Sequence, residues 1–177
     1  MKILDVTMGH RSMQKEVKER FGVEGEILSV DVRPQMSNGM VPDLVTDSRK
    51  LPLSSDTFDV VLFDPPYSFH NSKSCGNKEY SRFYITYGLN LYTSRQELGD
   101  YLQQTFSEIF RVMKPDGVCI LKWSESRIKL TFALALMGEL WEEKRWRRPS
   151  KHWGTKTGTD TWYVWLRKQI TMNHPMF

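Results

Sequence analysis

The six residues Phe58-Asp59-Val60-Val61-Leu62-Phe63 constrain the fold more than any other part of the chain. Five are apolar, and because side chains alternate along a strand, both faces of a strand here carry apolar groups. Such a strand has to be covered on both sides, which is the position of a central strand in a parallel sheet flanked by helices. The rest of the chain repeats the theme. Short apolar runs at Lys2–Val6, Glu26–Asp31, Leu44–Thr46 and Gly117–Trp123 alternate with helical patterns or turns. Trp141–Arg147 and Thr161–Arg167 complete a set of seven strands.

Helices are expected over Ser12–Phe21, after Ser94, and from near Ser126 through Leu130–Leu140. The second has the clearest signature. Ser94 and Glu97 form a capping box, after which Leu98, Tyr101, Leu102, Phe106, Ile109, Phe110 and Met113 recur at helical spacing. Pro115 and Gly117 end it.

With 177 residues the chain is sized for one domain, expected over residues 1–168 with a tail at 169–177. Two cysteines, Cys75 and Cys119, exclude a disulfide scaffold and a four-cysteine metal site. The uncharged stretch Leu130–Gly138 falls far short of the ~20 apolar residues of a membrane span. Asp5 interrupts the place where a signal peptide would begin, so a soluble, cytoplasmic protein is expected. The net charge is +4 and the isoelectric point about 9.0, which permits a polyanionic partner without requiring one. That charge is concentrated. Trp141–Lys168 holds eight basic residues against three acids, together with five of the six tryptophans. Between Pro66 and Thr93, aromatic residues including Tyr67, Phe69 and Tyr92 are scattered without periodicity. Uninterrupted loops beyond about 15 residues are usually functional or disordered; an Ω-loop packing on itself is one reading, and Lys73, Lys78 and Arg82 among the aromatics favour a substrate lid over residues 70–92.

Asp5, Asp31, Asp47 and Asp64 each follow one of four successive strands. In an open α/β sheet, ligands bind outside the carboxyl ends of the strands, so these acids are expected to line one crevice. Asp31 stands 22 residues beyond Gly9, near the ~20 that separates a turn glycine from a ribose-binding acid in dinucleotide folds. A carboxylate there can accept both hydroxyls of a ribose. The first turn has a single glycine, which disfavours close approach by a pyrophosphate and points to a nucleoside ligand without one. S-adenosylmethionine fits that description. Asp64-Pro65-Pro66-Tyr67 follows the most apolar strand. Its prolines fix φ and remove two backbone donors. The Asp64 carboxylate and the Pro65 carbonyl are left as rigid acceptors for a planar amino group, with Tyr67 to stack on its ring.

Taken together, Ile3-Leu4-Asp5-Val6 with Gly9, Val30-Asp31, Asp47-Ser48 and Asp64-Pro65-Pro66-Tyr67 resemble the class I S-adenosylmethionine-dependent methyltransferases. Within them the chain is similar to the amino-methyltransferases that modify adenine N6 or cytosine N4. Arg111-Val112-Met113-Lys114-Pro115-Asp116-Gly117 resembles their turn before the fifth strand, and the resemblance covers roughly residues 1–123. The expected fold is a Rossmann-like, mostly parallel seven-stranded α/β sheet with helices on both faces and its last strand antiparallel. The resemblance implies that Asp5, Thr7, Met8 and Gly9 form the loop around the methionine portion of the cofactor. It further implies that Asp31 takes the ribose hydroxyls, Val32 lies on the adenine, and Asp47 with Ser48 meets the adenine amino group. Asp64, Pro65, Pro66 and Tyr67 would hold the acceptor. Arg11 stands where many members have glycine, and Thr7 where many have glycine or phenylalanine.

The expected activity is methylation of an exocyclic amino nitrogen of a DNA or RNA base, adenine N6 first, without a metal. His70 and Cys75 are too few to hold one. The base would be flipped out or single-stranded. Tyr67, Phe69, Lys73, Lys78, Arg82, Arg147, Arg148 and Lys151 are the residues expected to grip it by stacking and charge. No target-recognition domain is evident, so a partner subunit could supply one. Guanine N2 methylation of RNA, N5 methylation of a protein glutamine, and a non-catalytic module that binds nucleic acid or a partner are the competing readings. The glutamine enzymes carry Asn at the position of Asp64, which counts against them.

Overall fold

A computed structural model describes residues 1–67, 92–125, 128–148 and 160–169. Its elements run β1 (Lys2–Asp5), α1 (Ser12–Phe21), β2 (Glu26–Asp31), β3 (Leu44–Val45), β4 (Phe58–Phe63), α2 (Arg95–Val112), β5 (Met113–Ser124), α3 (Leu130–Leu134), β6 (Leu140–Arg148) and β7 (Thr161–Lys168). The strands form one seven-stranded sheet in the order β3-β2-β1-β4-β5-β7-β6. β1 to β5 pair in parallel, and β7 inserts antiparallel between β5 and β6. The expected sheet, with its antiparallel last strand, is the one observed.

β4 is central, and its alternating side chains feed both cores. Val61 and Phe63 meet Leu98, Leu102, Phe106 and Ile109 of α2 on one face. Val60 and Leu62 meet Met13 and Val17 of α1 on the other. α1 is charged on most faces, and its buried contribution is just these two residues one turn apart. The cap of α2 is as read from the sequence in its first half. Ser94 Oγ accepts from the Glu97 N–H at 3.1 Å, whereas the Glu97 carboxylate reaches one residue further back, to the Thr93 N–H at 2.8 Å.

Two boundaries differ from expectation. The late helix spans only Leu130–Leu134, and Leu140 starts β6 instead of ending the helix. Leu136 and Met137 close three-residue hydrogen bonds, and Gly138 then takes a left-handed φ of 62° that turns the chain into the strand. β5 begins at Met113, immediately after α2, not at Gly117. Met113 pairs with Phe58 and Val118 with Val60, so Lys114–Gly117 bulge out of the ladder. A Cβ on Gly117 would lie 2.6 Å from Met113 Cγ and 3.0 Å from the Phe58 carbonyl oxygen.

No helix among the described residues is long and apolar enough to cross a membrane.

Candidate functional site

Strand order reverses between β1 and β4, where successive connections leave on opposite sides and open a crevice at the carboxyl ends. A cleft of about 810 Å³ lies there. The loops after β1, β2, β3 and β4 line it, together with Lys122 of β5 and Arg148 of β6.

The turn after β1 ties three strands together. The Val6 N–H bonds the Leu62 carbonyl and the Met8 N–H the Val30 carbonyl. Thr7 Oγ1 accepts from the Asp64 N–H at 2.8 Å. Gly9 has φ 48° and donates its N–H to Asp31 at 3.1 Å. Arg11, the residue before α1, is itself left-handed at φ 58°, a conformation that favours glycine. Thr7, Met8 and Gly9 border the cleft. Asp5 does not. It is fully buried beneath them and accepts from the Thr7 N–H at 3.2 Å and Gln14 Nε2 at 2.8 Å. Burial pushes its carboxyl up to about 7 against those hydrogen bonds, with Asp64 and Asp31 adding repulsion.

Asp31, Asp47 and Asp64 do share the cleft, along with the exposed Val32. Two of these acids are met by an arginine two residues on. Asp31 accepts from the Arg33 N–H, Nε and Nη2 and from the Gly9 N–H, at 2.9–3.1 Å. Those four bonds match the capacity of a carboxylate. Burial would raise the Asp31 carboxyl, but the Arg33 contacts prevail and hold it below the usual range. Arg49 grips Asp47 in the same way, with Nη2 2.6 Å from Oδ2, and lowers it too. The Ser48 hydroxyl, beside it, is engaged by Tyr101 at 3.1 Å and Thr105 at 3.4 Å, fastening this loop to α2. Tyr92 leans on Tyr101 with ring centroids 4.9 Å apart, and both face the cleft. The repeated Asp-x-Arg spacing that produces the two clamps was present in the sequence.

Asp64, Pro65, Pro66 and Tyr67 all border the cleft. The Asp64 carboxylate is not free as expected: Lys122 Nζ donates to Oδ2 at 2.9 Å. Burial pushes the Asp64 carboxyl up, while the Lys122 charge pulls the other way. Burial would lower Lys122, but Asp64 and Glu16 outweigh it and favour the ammonium. Glu16 of α1 lies 3.9 Å from Lys122 and takes Arg148 Nη1 at 2.7 Å. Lys122 was legible as the one charged residue in the run Val118–Trp123.

The described residues of the basic C-terminal end do not form an open cationic face. Of its six described basic residues, Arg145 pairs with Glu142, Arg147 with Asp160, Arg148 with Glu16, Arg167 with Glu143 and Lys168 with Asp56. Lys144 lies over the Trp165 ring. Arg148 borders the cleft. Arg147, the next residue along the strand, points to the opposite face over Trp162. Trp165 is buried, Trp146 and Trp162 sit at the core margins, and Trp141 is exposed. Phe69, Lys73, Lys78, Arg82 and Lys151 lie outside the described residues, as does the expected lid apart from Tyr92. So do His70, Cys75, Trp153 and nearly all of the 169–177 tail. Among the described residues no three His, Cys, Asp or Glu side chains converge as a metal site.

No protein-family model matches the sequence, and no curated protein matches it. Solved structures do share its fold. A protein from Pyrococcus horikoshii OT3 superposes with a TM-score of 0.55 at 17% identity, covering 94% of this chain and 81% of that one. A SAM-dependent methyltransferase from Methanosarcina mazei gives 0.54 at 12% identity, covering 94% and 92%. The 1,6-didemethyltoxoflavin-N1-methyltransferase of Burkholderia thailandensis, solved with its acceptor and S-adenosylhomocysteine, gives 0.55 at 14% identity, covering 94% and 70%. The chain has the class I SAM-dependent methyltransferase fold.

Proposed function

We propose that this protein transfers a methyl group from S-adenosylmethionine to an amino nitrogen of a planar heterocycle, with a nucleic-acid base as acceptor and adenine N6 favoured. The observation that carries this reading is the presence of Asp31 and Asp64-Pro65-Pro66-Tyr67 on the walls of one cleft at the sheet's switch point. The donor and acceptor set suits the cofactor. Asp31 is an ionised acceptor for a ribose diol, provided the Arg33 guanidinium yields its place. Gly9 and Val32 flank it, and the six carboxylates bordering the cleft (Glu16, Asp31, Asp47, Asp64, Glu97 and Asp100) outnumber its four cations (Arg33, Arg49, Lys122 and Arg148), a balance that suits a cationic ligand. When bound, S-adenosylmethionine supplies an electrophilic methyl group, so catalysis reduces to orientation and exclusion of water.

The chain's own residues handle the amine. Asp64 Oδ1 and the Pro65 carbonyl accept its two N–H bonds, drawing the nitrogen lone pair out of conjugation with the ring. Tyr67 stacks on the ring and fixes its plane. As the nitrogen takes the methyl carbon from sulfur, which would keep the electron pair of the broken bond, it would shed one proton, and Asp64 would receive it. A raised carboxyl is suited to holding that proton.

Labelled cofactor incubated with DNA and RNA pools, followed by mass analysis of nucleosides, tests the acceptor. N6-methyladenine is the expected product. N2-methylguanine or N4-methylcytosine would move the assignment within the same fold. The absence of cofactor binding would favour a non-catalytic module. One observation favours a second reading, a small free heterocyclic amine. Among the described residues, pairing of the C-terminal cations with carboxylates leaves little net charge to hold a phosphate backbone. Methylation of free nucleosides faster than of any polymer would favour it. A partner subunit for target recognition belongs to the nucleic-acid reading, and would appear as activity restored on adding that subunit.

A further inference from the structure

We propose that Lys122 is the positioning residue of the acceptor site, its ammonium holding one oxygen of Asp64 so that the other is aimed at the incoming amine. This rests on the amino-methyltransferase reading above and adds to it a residue on a different strand. Lys122 sits in β5 between Leu121 and Trp123, both fully buried, and is itself 9% exposed. β5 is an interior strand, paired with β4 and β7. A lysine at such a place is costly to desolvate, and replacing a buried ion pair by apolar residues is often neutral or stabilising. Packing therefore gives no reason for it. The cleft does.

Lys122 Nζ lies 2.9 Å from Asp64 Oδ2 and 3.9 Å from Glu16 Oε2. That Glu16 oxygen is buried and has no hydrogen-bond partner, while Arg148 holds its other oxygen. Asp64, Lys122, Glu16 and Arg148 thus alternate in sign from β4 across β5 and α1 to β6, and all four border the cleft. The backbone of Asp64 is fixed by Thr7 Oγ1 and by the prolines that follow. Its side chain is fixed by Lys122. With Oδ2 engaged, Oδ1 is the oxygen left to receive the amine.

The same contact sets the protonation state. Burial favours the neutral carboxyl, Glu16 adds negative charge, and Lys122 with Arg148 opposes them. Without Lys122, Asp64 would take up a proton at higher pH and stop accepting hydrogen bonds from the amine.

Lys122→Met keeps most of the volume and removes the charge, and Lys122→Arg restores the charge. Single-turnover rates at saturating cofactor should fall by up to about 100-fold in Lys122→Met, the scale of misplacing a group that reacts. The acid limb of the pH–rate profile should move to higher pH. Lys122→Arg should recover the wild-type profile, and cofactor affinity by calorimetry should be unchanged in both. Carbon-13 NMR of the Asp64 carboxyl, assigned with Asp64→Asn, reads the same shift without any turnover. If Lys122→Met does not fold, Lys122→Gln serves the same comparison. A wild type that methylates while Lys122→Met matches its rate and profile overturns this proposal and leaves the methyltransferase reading standing. A slower variant with an unmoved Asp64 titration assigns Lys122 to packing and overturns it too. A wild type that methylates no amine acceptor removes the reading and the proposal together.

Discussion

Asp5→Asn should abolish a pH dependence of stability that originates under the turn after β1. Asp5 is fully buried, and its carboxyl titrates at about 7 in the folded protein against 3.8 for an ordinary aspartate. The folded state therefore prefers the protonated form. Its stabilising effect is fully present below pH 3.8 and is lost progressively as the pH rises to about 7. The gap of about three pH units, at ~1.4 kcal/mol each, sets an upper bound of about 4 kcal/mol. Asparagine is neutral throughout and keeps an acceptor for the Thr7 N–H, while the Gln14 amide can turn to accept from it. The stability of Asp5→Asn minus that of wild type should climb between pH 4 and 8, by up to about 4 kcal/mol. Urea denaturation of both proteins across that range measures it. Asp31, Asp47 and Glu108 have lowered carboxyls and contribute with the opposite sign, but they are common to both proteins and cancel. A flat difference would show that Asp5 is ionised at neutral pH and that its hydrogen bonds outweigh burial.

Arg33→Ala should tighten S-adenosylmethionine binding severalfold by calorimetry, because it vacates acceptor sites on Asp31 that the ribose hydroxyls need; weaker binding would mean the guanidinium helps hold the nucleoside. Asp31→Ala should weaken the same binding by roughly 1–3 kcal/mol through loss of charge-assisted hydrogen bonds, and unchanged affinity would remove Asp31 from the cofactor site. Gly117→Ala should cost about 1–3 kcal/mol in chemical denaturation by crowding Met113 and the Phe58 carbonyl; a variant as stable as wild type would show that the bulge can relax.

The sheet was legible because each parallel strand is a short apolar run that cannot be helical without exposing one face. The helix–strand boundaries were harder. Leu130–Leu140 has helical apolar spacing, yet Leu140 is buried as the first residue of β6 and Gly138 makes the turn between them. Pro115 and Gly117 read as a break, whereas in the fold they form a bulge within one continuous strand. At the site, three of the four strand-end acids, Asp31, Asp47 and Asp64, followed from topology, and the arginine partners of Asp31 and Asp47 lay two residues away. The Asp64–Lys122–Glu16–Arg148 row is different. Its members meet across separations of 58 and 132 residues, and such pairings have no local signature. The basic end hid its partners for the same reason. Its excess of cations is a property of the segment, while Glu16 and Asp56, which neutralise two of them, come from far upstream.

The proposed role of Asp64, at the end of β4, is to receive the amine that is methylated. It is tested most directly by single-turnover transfer of labelled methyl from S-adenosylmethionine to an adenine-containing acceptor, comparing wild type with Asp64→Ala at saturating cofactor. The Asp64 contact strengthens as the nitrogen becomes tetrahedral, so its loss should fall on turnover more than on binding. The predicted result is N-methylated product from wild type and a rate about 10²–10³-fold lower in Asp64→Ala, the scale of losing one preorganised electrostatic partner. A folded Asp64→Ala that transfers at the wild-type rate would contradict the account.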